Sequence, residues 1–353
     1  MEGEIELAVA DGVGRITLNR PKALNALTLS QIEAMHAALK RWAGDDEVLL
    51  VTIGAVGGKA FCAGGDIRSL FEARKKGDYA LLAGFYREEY ILNRLIKTFP
   101  KPFVALIDGI VMGGGVGVSI HGSHRVATEH TLFAMPETGI GLFPDVGGTY
   151  FLPRCPGEVG MYLALTGVRL QAADALYAGL MTHFVPAAKL PDMTAALRGL
   201  TGAGDHDAAV TSILDGYHET PGPAPLAAHR AAIDRCFGGA SVDAVVTALE
   251  ADDSEWAAST LRVLATKSPT SLKVTFRQMR LGRDLDFDAA MRMEYRLSQR
   301  FMTGHEFFEG GRAVIIDKDH APQWRPATLM EVGEAEVNAY FAPLAAEREL
   351  AFD

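Results

Sequence analysis

Apolar and polar positions alternate along "EIELAVA" and "VGRITLNR", with Asp11-Gly12 between them, so the chain opens as a β-hairpin around a tight turn. The period then changes. Apolar residues at helical spacing follow Thr28, a good N-cap, and predict a helix running to about Trp42. "VLLVTIGA" at 48–55 is apolar without alternation, the pattern of a strand covered on both faces. A helix is expected after "KAFCAGGD", and a longer one from about Tyr79 to Phe99, halted by Pro100 and Pro102. "FVALIDG" at 103–109 repeats the buried-strand pattern, "GGGVGVSIHG" opens a helix over 114–122, and "HRVATEH" and "TLFAMP" read as short strands. From about residue 157 the pattern is mostly helical. The Gly- and Pro-dense stretches "LTGAGDHDA" and "ETPGPAP" set a soft boundary near 190–200. Strand–helix alternation followed by helices predicts an α/β core over 1–200 and a helical C-terminal region over 201–353.

Composition narrows the function. With 353 residues, 48% hydrophobic and 22% charged, the chain can bury a large core. Its net charge of −10, with no block of Lys or Arg, argues against broad contact with nucleic acid or an anionic membrane. A small phosphate-bearing ligand needs only a few local donors and stays open. Cys62, Cys155 and Cys236 are far apart and form no CxxC pair, so neither a disulfide framework nor a zinc knuckle is expected, and a reducing cytoplasm fits. The acidic, strand-like N-terminus and the lack of an 18-residue apolar span complete the expectation of a soluble, cytoplasmic protein.

Several motifs fail when their spacing is counted. "GAVGGKAF" at 54–61 is one residue short of a P-loop and has Ala60 where Ser or Thr should hold magnesium. "GGGVGVS" at 113–119 gives no GxGxxG frame, and no serine is flanked as GxSxG. His121 and His124 are three apart, but Gly122 interrupts them and no acid adjoins, so no metal site is expected.

Two other features hold up. "MPETGIGLFPDVGG" at 135–148 carries Glu137 and Asp145 among Met135, Pro136, Ile140, Leu142 and Phe143, a setting that desolvates a carboxylate. Helix capping is the rival use of both acids, Asp145 above all. "CAGGD" and "MGGGVG" each follow a strand and precede a helix, where glycine-flanked N–H groups are unsatisfied and favour negative charge. Two such donors converging would form an oxyanion hole, and tight strand–helix turns are the plainer reading.

Together, "FCAGGDI" at 61–67, "GIVMGGGVG" at 109–117 and "MPETGIGLFPDVGGTYFLPR" at 135–154 resemble the enoyl-CoA hydratase/isomerase, or crotonase, superfamily over roughly residues 4–200. "FYREEYILN" at 85–93, "GLFPDVGG" at 141–148 and "FFEGGRAVIIDKDHAPQW" at 307–324 look closest to its 3-hydroxyisobutyryl-CoA hydrolase branch, which serves valine breakdown. The resemblance implies a spiral of ββα units, with the helical C-terminal region covering the active site. It implies that Gly65 and Gly114 donate their N–H groups to the thioester carbonyl, and that Lys or Arg within 59–74 meet the CoA phosphates. No cofactor is implied beyond the CoA of the substrate. A homo-trimer or trimer-based assembly is implied as well.

The departures from the hydratase pattern are informative. Hydratases of this family use two glutamates, and the first falls here at Gly117, which has no side chain for acid–base work. The second is Glu137, and Asp145 stands where hydratases carry glycine. The resemblance therefore implies thioester hydrolysis, with enoyl-CoA hydration, dehydration or isomerisation as the alternative. Glu137 would attack the carbonyl or activate water, and Asp145 would position water or hold the 3-hydroxyl of the substrate. Glu89, in the "REEY" helix, would share substrate binding, with a solvated helix face as its rival use.

Overall fold

The computed structural model describes residues 3–201 and 204–352. Chain contacts divide them into two units, each assembled from separate stretches. The first comprises Met1–Asp66, Ile91–Phe133 and Arg169–Pro225, and the second comprises Ile67–Tyr90, Ala134–Val168 and Leu226–Asp353.

Two sheets form the first unit. Strands β1 (Ile5–Ala10) and β2 (Val13–Leu18) make the expected hairpin, and Asp11 at φ +52° with Gly12 at φ +76° give the turn its left-handed pair. Next come β3 (Leu50–Ala55), β4 (Ala60–Cys62), β5 (Phe103–Ile107), β6 (Ile110–Met112), β7 (His124–Ala127), β8 (Leu132–Ala134), β9 (Leu170–Gln171) and β10 (His183–Phe184). The larger sheet runs β1-β2-β3-β5-β7-β10, parallel beyond the hairpin, and the smaller runs β4-β6-β8-β9. In chain order, β3 and β4, β5 and β6, and β7 and β8 each place one strand in each sheet before a helical segment, which is the expected ββα spiral.

Local chemistry explains most boundaries. Helix Leu29–Ala43 starts at a capping box in which Thr28 accepts from Gln31 N–H and the Gln31 side chain accepts from Thr28 N–H. One face of the large sheet is covered by helices Leu190–Arg198 and His206–Tyr217, with Val104, Val126, Met193, Leu197, Val210 and Leu214 in the shared core.

Two expectations need correction. The strand expected over 103–109 is present as β5 but ends at Ile107: Gly109, at φ +101°, turns the chain into β6, and a Cβ there would lie 2.8 Å from the Lys59 carbonyl. The helix expected over 114–122 is only Gly114–Gly117: the Ser119 hydroxyl takes the Gly115 carbonyl (2.8 Å) that its own N–H would bond in a continued helix, and that N–H donates to the Val116 carbonyl at 3.0 Å instead. His124 bonds Ser123 and Thr211 through its two ring nitrogens, and no metal-ligand cluster is present among the described residues. No helix there is long and apolar enough to cross a membrane.

The second unit is mainly helical. It contains Ile67–Lys75, the part of helix Tyr79–Lys97 through Tyr90, the 3₁₀ turn Glu137–Ile140, and a C-terminal set that includes Pro269–Gly282, Phe287–Phe301 and Glu306–Gly311. Ser268 and Asp286 cap the two long helices of that set.

Candidate active site

The acidic turn lies wholly in the second unit. Glu137 begins the 3₁₀ turn, which Gly141 closes at φ +69°, while Leu142 N–H donates to the Glu137 carbonyl at 3.0 Å. Two close approaches pin this turn. A Cβ on Gly141 would overlap the Glu306 carbonyl, and one on Gly310 would overlap the backbone of Ile140. Ser268 N–H donates to the Thr138 carbonyl at 3.1 Å, and the Ser268 hydroxyl bonds Glu306. The "FFEGG" stretch thus serves the turn through its missing side chains.

Glu137 and Asp145 are each 4% exposed, Glu89 2% and Glu294 0%, so these four carboxylates, like Glu306, are buried in this unit. No described group bonds Glu137 Oε2 or Glu89 Oε1. Burial and the Asp145 charge raise the Glu137 pKa well above the ordinary carboxylate range. Lys267 pulls it back, its ammonium lying 3.3 Å from where a Gly139 Cβ would stand. Glu89 is raised by burial, then by Asp145 and Glu294. Mutual repulsion at this depth makes the group share protons.

Asp145 is presented by an unusual turn. Val146 stands at φ +50° and Gly147 at +91°; for a β-branched residue this conformation costs about 1–3 kcal/mol and must be imposed by its surroundings. Two side chains from other elements brace it. Glu294 accepts from Gly147 N–H and Thr149 N–H, both at 2.8 Å. Gln278 Nε2 donates to the Pro144 carbonyl and to Thr149 Oγ1, both at 2.7 Å. The Asp145 side chain caps no helix; instead it accepts from the Tyr90 hydroxyl at 2.9 Å. Burial raises Asp145 to about 7 against the Tyr90 bond, and burial with the Asp145 charge raises Glu294 to about 8.

Glu89 occupies no solvated face. It shares one side of its helix with Tyr86 and Tyr90, all buried, at the three- and four-residue spacing that makes neighbours. The charges of Asp145, Glu89 and Glu137 all act on Tyr86. Glu89, Glu137 and Asp145 therefore form one cluster.

Gly65 and Gly114 belong to the first unit, where the turns after β4 and β6 lie side by side. A Cβ on Gly64 would be 3.6 Å from the Met112 carbonyl and 3.9 Å from Gly114 N. In the parallel bridge between Leu27 and Gly65, the flanking residues make the bonds: Leu27 N–H to the Gly64 carbonyl at 2.9 Å, and Asp66 N–H to the Leu27 carbonyl at 2.8 Å. The Gly65 N–H consequently points away from that pairing. Gly114 is the first residue of its short helix, so its N–H has no intrahelical acceptor. Gly117 ends that helix, buried. Of the cations expected at phosphates, Arg74 donates to the Met302 carbonyl at 2.7 Å and Arg68 to that of Ile315 at 3.3 Å.

Sequence reasoning missed Glu294, Gln278, Tyr90 and Lys267. A signal for Glu294 existed: it sits on the apolar stripe of Phe287, Ala290, Met291, Leu297 and Phe301, where an acid is out of place.

Comparison with known proteins gives a consistent neighbourhood. The sequence profile of the enoyl-CoA hydratase/isomerase family matches residues 13–341. The chain is 51% identical over 348 residues to a Xenopus tropicalis protein named 3-hydroxyisobutyryl-CoA hydrolase, mitochondrial, covering 97% of this chain and 90% of that one. A Danio rerio protein of the same name is 52% identical over 342 residues, covering 96% and 88%. Among solved structures, a carnitinyl-CoA dehydratase from Mycobacterium thermoresistibile matches with a TM-score of 0.92 and 42% identity, covering 100% and 99%, so the crotonase-like fold is shared. The mitochondrial designation of the relatives corrects the expectation of a cytoplasmic protein. The separated cysteines on which that expectation leaned predict no disulfide framework, which does not single out the cytoplasm among reducing compartments.

Proposed function

We propose that this chain, which belongs to the enoyl-CoA hydratase/isomerase family, hydrolyses the thioester of 3-hydroxyisobutyryl-CoA to 3-hydroxyisobutyrate and free CoA. The observation that carries the reading is the buried Glu137–Asp145 pair combined with a bare Gly117. Adding water across a double bond takes two acid–base groups at the positions the family uses. Splitting a thioester takes one nucleophile or base, plus a group that orients water or substrate.

In this reading Glu137 attacks the carbonyl carbon, the C–S bond breaks, CoA leaves as the thiolate, and water hydrolyses the resulting anhydride. Alternatively, Glu137 takes a proton from water as that water attacks. The N–H groups of Gly65 and Gly114 receive the developing oxyanion, a role that rests on the family resemblance. Asp145 accepts the hydrogen bond of the substrate 3-hydroxyl, and Glu89, with its unbonded Oε1, shares that task. The resemblance also supports a trimer-based assembly, which sedimentation showing monomer alone would overturn.

The dehydratase name of the solved relative supports a second reading, dehydration or hydration of an acyl-CoA. One assay separates them. Given 3-hydroxyisobutyryl-CoA, the protein should release free thiol, read with a thiol reagent, without gain of enoyl absorbance. Enoyl formation without thiol release overturns the hydrolase reading. Against isobutyryl-CoA, kcat/KM for the hydroxylated ester should be higher by as much as about 10⁴, the scale for a site built to bond a hydroxyl. Equal values would remove the hydroxyl-binding role of Asp145.

A further inference from the structure

The backbone that presents Asp145 passes through two successive positive-φ residues, Val146 and Gly147. The turn's own hydrogen bond, from Gly148 N–H to the Asp145 carbonyl at 2.8 Å, closes it but leaves the Gly147 and Thr149 N–H groups to find acceptors elsewhere. Glu294 supplies them from helix Phe287–Phe301, far along the chain, with both carboxylate oxygens engaged. We propose that Glu294 is the positioning residue for Asp145: by taking the N–H groups of Gly147 and Thr149 together, it holds the Val146 turn in the conformation that aims the Asp145 carboxylate at Tyr90 and at the substrate hydroxyl. The proposal rests on the reading of Asp145 given above.

A carboxylate is the group this task requires. Here each oxygen of one side chain takes one N–H, and only Asp or Glu presents two acceptor oxygens. Gln278, on the neighbouring helix, performs the complementary task with its amide, donating to the Pro144 carbonyl and Thr149 Oγ1. Between them, the two side chains fix the turn at Pro144, Gly147 and Thr149 and leave Asp145 as the acid that reaches Tyr90. An ordinary cap of the short helix Gly148–Phe151 would not need a fully buried acid. Ser, Thr or Asn on the turn would serve, without a second charge beside Asp145. The position of Glu294, next to another buried acid, is unfavourable for stability and is the kind of cost a site retains for geometry.

The test is a double-mutant cycle on the whole chain, with Glu294→Gln, Asp145→Asn and the pair, using both 3-hydroxyisobutyryl-CoA and isobutyryl-CoA. Glutamine keeps the volume but has one acceptor oxygen, with NH₂ in place of the other, so in the same geometry one of the two N–H groups faces a donor. Glu294→Gln should lower kcat on the hydroxylated ester by about a hundredfold, the scale for a small misplacement, with KM changed by less than about threefold. It should also narrow the preference for the hydroxylated ester, as Asp145→Asn does. In the Asp145→Asn background it should cost less than about threefold more, because both changes remove the same interaction.

Equal fractional losses on the two esters, or the same factor in both backgrounds, overturn the proposal and leave Glu294 a structural residue. A fully active Asp145→Asn variant instead overturns the reading of Asp145, and this proposal with it. Should the glutamine variant fold poorly, Glu294→Asp, which keeps the charge and shortens the reach, enters the same cycle with the same outcomes.

Discussion

Glu137 combines an unpartnered oxygen with a proton affinity raised by burial and by Asp145, so it gives up its proton at higher pH than a surface acid does. A base or nucleophile works only when ionised. Catalysis should therefore rise with pH through a limb well above the ordinary carboxylate range, with Asp145 itself titrating at about 7. Lys267 lowers the Glu137 pKa, so Lys267→Met should move the acid limb of kcat/KM to higher pH. A limb that stays in place, or moves to lower pH, would mean that the lysine charge does not reach Glu137. Glu137→Gln keeps the shape and removes both nucleophile and base. Turnover should fall by at least about a hundredfold with substrate affinity retained, as read by steady-state kinetics and by titration with the ester. Near-normal turnover would exclude Glu137 as the reacting group.

Between elements, the glycines set how closely the Glu137 turn and helix Glu306–Gly311 approach. Gly310→Ala would drive a methyl group into the Ile140 backbone, and neither side is a flexible side-chain end that can yield. A loss of about 1–3 kcal/mol and a lower kcat are expected, read by thermal melting and kinetics. Gly84→Ala, on an open helical position, is the control, and a gain of about 0.5–1 kcal/mol is expected there. Equal effects at the two positions would show that the close approach does not hold the turn. This scale also explains what sequence could convey. The hairpin at Asp11-Gly12 and the N-cap at Thr28 are local and were legible. The break at Gly109 depends on Lys59, and the shortened helix at Gly114 on the Ser119 hydroxyl, neither of which a periodic pattern records. At the site, Glu89, Glu137 and Asp145 were reached through motifs. Glu294 and Gln278 arrive from more than a hundred residues along the chain and became visible only when the helices had packed.

For the whole molecule, the acid cluster sets a sign for the pH dependence of stability. Asp145 at about 7 and Glu294 at about 8, with Glu89 and Glu137 raised as well, hold protons more tightly in the folded chain than in the unfolded one. Their contribution is fully present below the unfolded carboxylate values of about 4 and is lost as pH rises through the folded ones, each tenfold tightening of proton binding being worth about 1.4 kcal/mol. His124 and His183, lowered chiefly by burial, act in the opposite sense: their contribution is present at neutral pH and is lost as pH falls below the unfolded histidine value of about 6.5. Comparing a variant with its parent cancels the histidines and isolates the acids. Glu89→Gln suits this because Glu89 Oε1 makes no bond that the change would break, while one charge leaves the cluster. Melting followed from about pH 5 to about pH 9, a window that spans the raised acids, should show the parent losing stability toward the alkaline end more steeply than the variant, with the variant the more stable at about pH 8. That gain should come with weaker binding of the 3-hydroxyacyl ester, since the same unbonded oxygen is the one assigned to substrate. Parallel melting curves would mean that Glu89 carries no charge worth removing, and the proton-sharing account of the site would have to be rebuilt on Asp145 and Glu137 alone.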